Sequence, residues 1–543
     1  MNAQQPNARL TIVFFFFLAL YGLLIVNLYV LQILQSTFFK ERGQKQYCMA
    51  ITVTPPRAEI FDRTGRHLLA LNKEAYAAFI IPNCLNQKKQ VVPFLKKYFT
   101  EAAARLAKNP SSHFMYIKRR LTKKELELIE SSDLDDIKLL KEPSRYYPVP
   151  GIGPLVGITD IDNQGLFGIE KIFNHTLAGV PSEYILEKDC RKNRLYISRE
   201  TKVAGSGSSP LTLTIDSVLQ FLVYEELKDY MAKMGAKSGS TLICDPTSGE
   251  ILVMANYPDF DPNKTEQLPM ELTKNRIITD AYEFGSIIKV FLALAGLEEG
   301  VVTEKSLIDC ENRLKTRING VPISTTHANG MIPFEDVIRF SNNIGVAKVA
   351  QKLGTKLYEH YTRLGFSKKI NIFPGEAPGY ITPPSKWTRA SLISLSFGYE
   401  ITANLVQIAQ ALSVIANEGK LINLHLIPTK VDPMATPLYS EKALNQLRSI
   451  LQKTIDEGAA KKAAIKGYIV MGKTGTARLI TNGRYDSQRH IFSFMAIVEK
   501  GSYKRVIVIS IKEISHKGLL SSQVTVPLFE RIAHKMLIHD KII

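Results

Sequence analysis

From Leu10 to Phe39 the chain carries no charged residue. The run at 11–34, TIVFFFFLALYGLLIVNLYVLQIL, is long enough to cross a bilayer, and in lipid its backbone can be satisfied only as one helix. No other run in the chain has this character. A cleavable leader would need a shorter apolar core and a small-residue site after it, and LQSTFF at 34–39 offers neither, so an uncleaved anchor is expected. Arg9 precedes the span while Lys40, Arg42 and Lys45 come after it. Local charge therefore does not favour export of the C-terminal side, but long domains translocate regardless of such charges.

With 543 residues, 45% of them apolar, the chain exceeds one compact core and should form two or three domains. The formal charge of +18 suggests an anionic partner, whether nucleic acid, acidic lipid or a polyanionic wall polymer, and does not choose among them. No recognised nucleic-acid module accompanies the charge. Its richest run, Lys118, Arg119, Arg120, Lys123 and Lys124, opens the amphipathic stretch LTKKELELIE and reads as a solvated helix face. Cys48, Cys84, Cys190, Cys244 and Cys310 are scattered, with no spacing that suggests zinc or a disulfide framework, and read as packing residues.

After the anchor, TPPRAEIFDRTG at 54–65 reads as an extended segment closed by a polar turn. Its Arg57, Glu59, Asp62 and Arg63 fit either an ion-pair network or solvated charges. A helix is expected over 91–107. PGIGPLVG at 150–157 has the wrong spacing for a dinucleotide loop and a proline inside it. AGSGSSP at 204–210 is a linker by composition. Beyond it, a helix is expected over 214–234, with Asp216 near its cap and Gly235 at its stop, then the strands SGSTLICD and GEILVMAN. Strand signals return at 467–480, 491–499 and 505–512, with a turn at Asn482-Gly483 and a final helix from about Val526. Strands at both ends with helices between them predict an α+β domain, one antiparallel sheet carrying a helical lobe.

Within that domain, GSIIKVFLALAGLEEG at 285–300 is apolar on every side at helical period, the mark of a segment buried all round. Between Glu283 and Glu298 its only charge is Lys289, one turn after Ser286 and on the same face. Desolvation favours the neutral amine, which can take a proton from a serine hydroxyl, so Ser286 is a candidate nucleophile. The alternative is a lysine that snorkels along an ordinary core helix. Ser286 is the only serine in the chain with a lysine three residues on.

Two further clusters bear on this choice. Ser341, Asn342 and Asn343 open the helical run SNNIGVAKVAQKL, where Ser and Asn are ordinary caps. Lys473, Thr474, Gly475 and Thr476 lie in GYIVMGKTGTARLI, a strand that could bind a carboxylate and an extended peptide. Gly467, Gly472, Lys473 and Thr474 also match the phosphate-loop pattern. Tyr468, Ile469, Val470 and Met471 are strand formers and no helix comes directly after them, so the context argues against a nucleotide site.

A serine with a lysine one turn on, then Ser-x-Asn, then Lys-Thr-Gly, in that order, is the signature set of penicillin-binding proteins and serine β-lactamases. The chain resembles a class B penicillin-binding protein along its length, through RAEIFDRTG, GLFGIEKIFNHTLAG and FGYEITANLVQIAQALSVIANEG. AAIKGYIVMGKTGTAR, with NGRY after it, is most similar to the division-specific, septal type. Phe284 stands where a proline is usual, and Ile287-Ile288 replace a commoner Thr-Phe or Thr-Met; neither change removes a reacting group. No segment resembles a glycosyltransferase module.

The resemblance implies a cytoplasmic tail (1–9), an anchor (10–34), a pedestal domain like the family's dimerisation domain (35–203), a linker (204–210) and a transpeptidase domain (211–543). It implies D,D-transpeptidation of peptidoglycan stem peptides on the outer face of the membrane, with β-lactams as inhibitors and no metal or organic cofactor. A membrane-embedded glycosyltransferase and the division machinery are the implied partners, and nucleic acid is not one. Ser286 would attack the donor peptide, Lys289 would act as base, and Ser341 would relay a proton. Asn343 would bind the donor amide, Lys473 with Thr474 and Thr476 would hold the terminal carboxylate, Gly475 would let the peptide approach the strand, and the backbone N–H groups of Ser286 and Thr476 would hold the oxyanion. The rival expectations are a side-wall transpeptidase, a membrane-tethered β-lactamase or carboxypeptidase, and a catalytically idle division scaffold.

Overall fold

The computed structural model describes residues 8–53, 55–188, 195–429, 436–481, 483–516 and 518–542. Most of the expected tail at 1–9, Cys190 and the turn residue Asn482 lie outside the described residues. The chain divides into two compact units, Met1–Pro56 with Ala178–Ser208, and Arg57–Leu177 with Ser209–Ile543.

In the first unit, an α-helix over Ala8–Tyr29 passes into a π-helix over Val30–Leu34. Together they are long and apolar enough to cross a membrane, with a mean hydropathy of 2.4. A further helix, Ser36–Tyr47, leads to a three-stranded antiparallel sheet in the order Cys48–Val53, Ser182–Lys188, Leu195–Val203.

The second unit joins residues 57–177 to 209–543, on both sides of the linker expected at 204–210. The physical reason is in the segment RAEIFDRTG. Ile60–Phe61 pairs in parallel with Leu211–Thr212, Asp62 accepts from the Ser217 hydroxyl at 2.9 Å, and Arg63 meets Glu250 at 2.6 Å. Arg57 is buried and shares the buried Glu170 with Arg145, at 2.5 and 2.7 Å. The charges of this segment therefore form networks, apart from Glu59, for which no pairing is described.

Around this segment, a small sheet built on the long strand Leu68–Ile80 packs on helices Lys88–Tyr98 and Thr100–Lys108. These replace the single helix expected over 91–107. Phe99 breaks it with φ −137°, turning its ring into the core formed by Val91, Leu95, Ala102 and Leu106. The basic run also differs from expectation. Its helix begins only at Lys123, capped by Thr122 and Glu125, while Arg119 is bound to Glu142 at 2.9 Å and Asp162 at 2.6 Å. Among the cysteines, Cys244 and Cys310 are buried, whereas Cys84 is exposed and does not serve packing.

The main body is a five-stranded antiparallel sheet. Strands β1 (Ser238–Cys244), β2 (Ile251–Tyr257), β3 (Ile469–Thr481), β4 (Arg484–Lys500) and β5 (Tyr503–Lys512) run in the order β2-β1-β5-β4-β3. Helix α1 (Ser217–Met234) starts on the Asp216 side chain and stops at Gly235, whose φ of 56° suits a residue without Cβ. It covers one face of the sheet with α6 (Ser521–His539). Helix α6 starts five residues before Val526, because the Gln523 side chain accepts from Leu520 N–H and Ser521 donates to the Ser493 carbonyl.

The other face of the sheet carries a helical lobe of α2 (Lys289–Glu298), α3 (Asn343–Leu353), α4 (Leu405–Ala416) and α5 (Glu441–Asp456). Leu405 to Ala416 is buried at every position, as is α2 from Lys289 to Leu297. Burying an apolar side chain stabilises by about 1.5–3 kcal/mol, so these two helices anchor the lobe.

Candidate active site

Ser286 does not lie on the helix that the apolar period suggests. It sits, half-buried, in a 3₁₀ turn, Gly285–Ile287, that enters α2. The turn is forced by crowding. An added Cβ at Gly285, whose φ is +56°, would lie 2.3 Å from the Thr476 carbonyl, and one at Gly475 would lie 2.4 Å from the Phe284 carbonyl. From another direction, a Cβ at Gly398 would come within 2.2 Å of the Gly285 carbonyl. Glycine at these positions lets three backbones converge around the serine. Phe284, where proline is usual, is 1% exposed and contributes to the core.

Lys289 is fully buried and does not snorkel. Its Nζ donates to the Ser341 carbonyl at 2.6 Å, to Asn343 Oδ1 at 2.5 Å and to Ser341 Oγ at 3.1 Å. Burial, and then the charge of Lys473, push its pKa well below that of an ordinary lysine. The three oxygens oppose this shift, but they are neutral, and the cost of an enclosed ammonium beside a second lysine is larger. The amine is therefore poised to accept a proton.

The middle cluster divides between the two readings of it. Asn342 is the cap of α3, accepting from the N–H groups of Ile344 and Gly345 at 2.9 and 3.1 Å. Ser341 stands outside the helix with φ 57°, which sets both its carbonyl and its hydroxyl on Lys289. Asn343 donates through Nδ2 to the Ser324 carbonyl at 2.6 Å, so its Oδ1 is the atom left to face Lys289. Ser324 was not legible as part of the site, because it acts through a backbone carbonyl brought from the hairpin Lys315–Ile318/Val321–Ser324.

The third cluster lies on the edge strand β3, with Lys473 opposite Met495 and Thr476 opposite Phe492. Unbroken pairing through Lys473, Thr474 and Gly475 excludes a phosphate loop. Lys473 is 2% exposed, its Nζ lies 3.3 Å from the Thr474 carbonyl, and burial pushes its pKa down to about 8. Thr474 is half-buried and Thr476 exposed, leaving hydroxyls available to a ligand. The predicted residues are thus gathered around one turn. Lys289 contacts Ser341 and Asn343, Lys473 lies within its electrostatic reach, and Gly475 and Thr476 abut the backbone on either side of Ser286.

Residues 239–534 match the penicillin-binding protein transpeptidase domain family, and residues 52–208 match the penicillin-binding protein dimerisation domain family. The probable peptidoglycan D,D-transpeptidase PbpC of Pseudomonas aeruginosa is 30% identical over 543 residues, covering 98% of this chain and 95% of that protein. The peptidoglycan D,D-transpeptidase FtsI of Escherichia coli is 31% identical over 522 residues, covering 92% of this chain and 87% of that protein. The crystal structure of penicillin-binding protein 3 from Mycobacterium tuberculosis with aztreonam has the same fold, with a TM-score of 0.68 at 21% identity over 90% of this chain and 97% of that one. The chain belongs to the class B penicillin-binding proteins, the peptidoglycan D,D-transpeptidases of the FtsI type.

Proposed function

We propose that Ser286 is the acylated serine of this transpeptidase and that Lys289 is its base, with the septal wall as the place of work. The observation that carries the proposal is an amine fully buried one turn from a half-exposed serine, beside a second buried lysine on the edge strand. Lys289 takes the Ser286 proton as Oγ attacks the carbonyl of the penultimate D-alanine of a donor stem. Backbone N–H groups of Ser286 and Thr476 hold the oxyanion, at the point where Gly285 and Thr476 meet. The C–N bond breaks, terminal D-alanine leaves with a proton relayed through Ser341, and an ester to Ser286 remains. The amine of a second stem attacks that ester and loses its proton to the same relay, the ester C–O bond breaks, and Ser286 Oγ leaves with a proton returned by Lys289, so that the cross-link forms and the free serine is restored. Asn343 binds the donor amide, and Lys473 with Thr474 and Thr476 binds the donor carboxylate, while Gly475 gives it room.

In this reading the anchor holds residues 35–203 as a pedestal and 211–543 as the catalytic domain on the outer face of the membrane. A membrane-embedded glycosyltransferase supplies glycan strands. Likeness to FtsI supports the septal assignment. The test is a purified-protein assay with a stem-peptide donor and an amine acceptor. Amine-dependent release of D-alanine that Ser286→Ala abolishes supports the proposal. Release that ignores the amine and yields only hydrolysed donor would instead identify a carboxypeptidase, and release that survives in the alanine variant would remove Ser286 from the chemistry.

A further inference from the structure

We infer that Glu283 is a positioning residue for the nucleophile, holding the turn that carries Ser286 to the two chain segments that flank it. The inference rests on the assignment of Ser286 above. Glu283 lies three residues before the serine. Its Oε1 accepts from the backbone N–H of Glu400 at 2.9 Å and from the Tyr485 hydroxyl at 3.0 Å. Glu400 comes two residues after Gly398, the residue pressed on the Gly285 carbonyl. Tyr485 belongs to β4, in the arm where β3 and β4 run beyond the sheet, paired with Ile480. One oxygen therefore ties the nucleophile turn, the 398–400 turn and the end of the carboxylate-binding strand.

The tie is maintained at a cost. The second oxygen, Oε2, is enclosed and has no hydrogen-bond partner among the described residues. Burial raises the Glu283 pKa, the nearby Glu400 raises it further, and only the two donors at Oε1 act against that. Among the described residues no lysine or arginine neutralises the carboxyl, in a chain whose formal charge is +18. A carboxyl kept under these conditions stabilises the fold poorly, and its one described service is the alignment of these segments. Tyr485 is suited to hold its end. Its ring meets Tyr399 edge-on with centroids 5.0 Å apart, while 47% of the residue stays exposed, so losing its hydroxyl need not disturb the core.

Acylation by a fluorescent penicillin, resolved into the dissociation constant of the first complex and the acylation rate constant, tests this together with thermal melting. Glu283→Ala should lower the rate constant about 100-fold, the effect of displacing a reacting atom by about 1 Å, with little change in the dissociation constant. Glu283→Gln should recover most of the rate, because its amide oxygen can accept from the same two donors. Tyr485→Phe should lower the rate constant about tenfold, the equivalent of one hydrogen bond, without changing the melting temperature. Tyr485→Phe also decides the matter if Glu283→Ala fails to fold. Wild-type rates in Tyr485→Phe, a glutamine variant as slow as alanine, or losses confined to the dissociation constant would each overturn the inference while leaving Ser286 in place. A wild-type protein that no β-lactam acylates would overturn the functional reading and this inference with it.

Discussion

Replacing Gly475 by alanine isolates how the fold places its nucleophile. The new Cβ would lie 2.4 Å from the Phe284 carbonyl oxygen, 2.9 Å from Ile287 Cγ1 and 3.1 Å from Ile287 N. Ordinary carbon contacts lie near about 3.5 Å, so the turn must withdraw from β3 by about 1 Å. It cannot withdraw freely, since Phe284 and Ile287 are buried and Gly398 already presses on the Gly285 carbonyl. A displacement of about 1 Å at a reacting atom costs about 100-fold in rate. Overpacking of this kind costs about 1–3 kcal/mol in stability. At about 2–4 °C per kcal/mol, melting should fall by a few degrees and leave the protein folded at assay temperature. The measurement is the acylation rate constant with fluorescent penicillin beside a thermal melt. Gly207→Ala serves as the control, because nothing among the described residues lies within 4 Å of its added Cβ. A folded Gly475→Ala protein acylated at the wild-type rate would refute the claim that contact between strand and turn sets the position of Ser286.

Three other perturbations have distinct signatures. Lys289→Ala should slow acylation far more than it weakens the initial β-lactam complex; equal effects on both would make the lysine a ligand-positioning group and not the base. Glu170→Ala leaves Arg57 and Arg145 buried without their shared carboxylate and should cost about 3–5 kcal/mol in denaturant unfolding, a loss that exposed pairs such as Lys141–Glu74 would not show. Lys473, pushed down to about 8 from 10.5, gives opposite trends in two measurements. Between those values the unfolded chain holds a proton that the folded chain has lost, so this residue adds stability as pH rises through the window. Carboxylate binding needs the ammonium, so the dissociation constant of the initial complex should worsen as pH rises above about 8; a constant unchanged across that pH would exclude the role.

Much of the transpeptidase fold was legible because burial leaves a periodic trace. The apolar run around Lys289, the Asp216 cap with Gly235 as stop, and the strands near Ser238, Ile251 and Tyr503 are dictated by side-chain period and capping chemistry alone. The three clusters were legible as chemistry, and the structure sets them around one turn. The features that escaped were decided by partners distant in sequence. Arg119 looked solvated because Glu142 and Asp162 are remote in the chain, and Phe99 looked helical because the core that receives its ring is assembled by other segments. The 3₁₀ start at Ser286 is likewise imposed by Thr476 and Gly398, not by local preference. Asn342 and Asn343 could not be told apart by composition, yet one caps a helix and the other faces Lys289.

The most direct test of the central claim is peptide mapping by mass spectrometry after reaction with penicillin. Trypsin should release the peptide from Ile277 to Lys289, whose only serine is Ser286. The predicted result is that this peptide gains the mass of the intact drug and that fragmentation places the adduct on the serine. An adduct on any other peptide, or a covalent adduct that persists in Ser286→Ala, would contradict it.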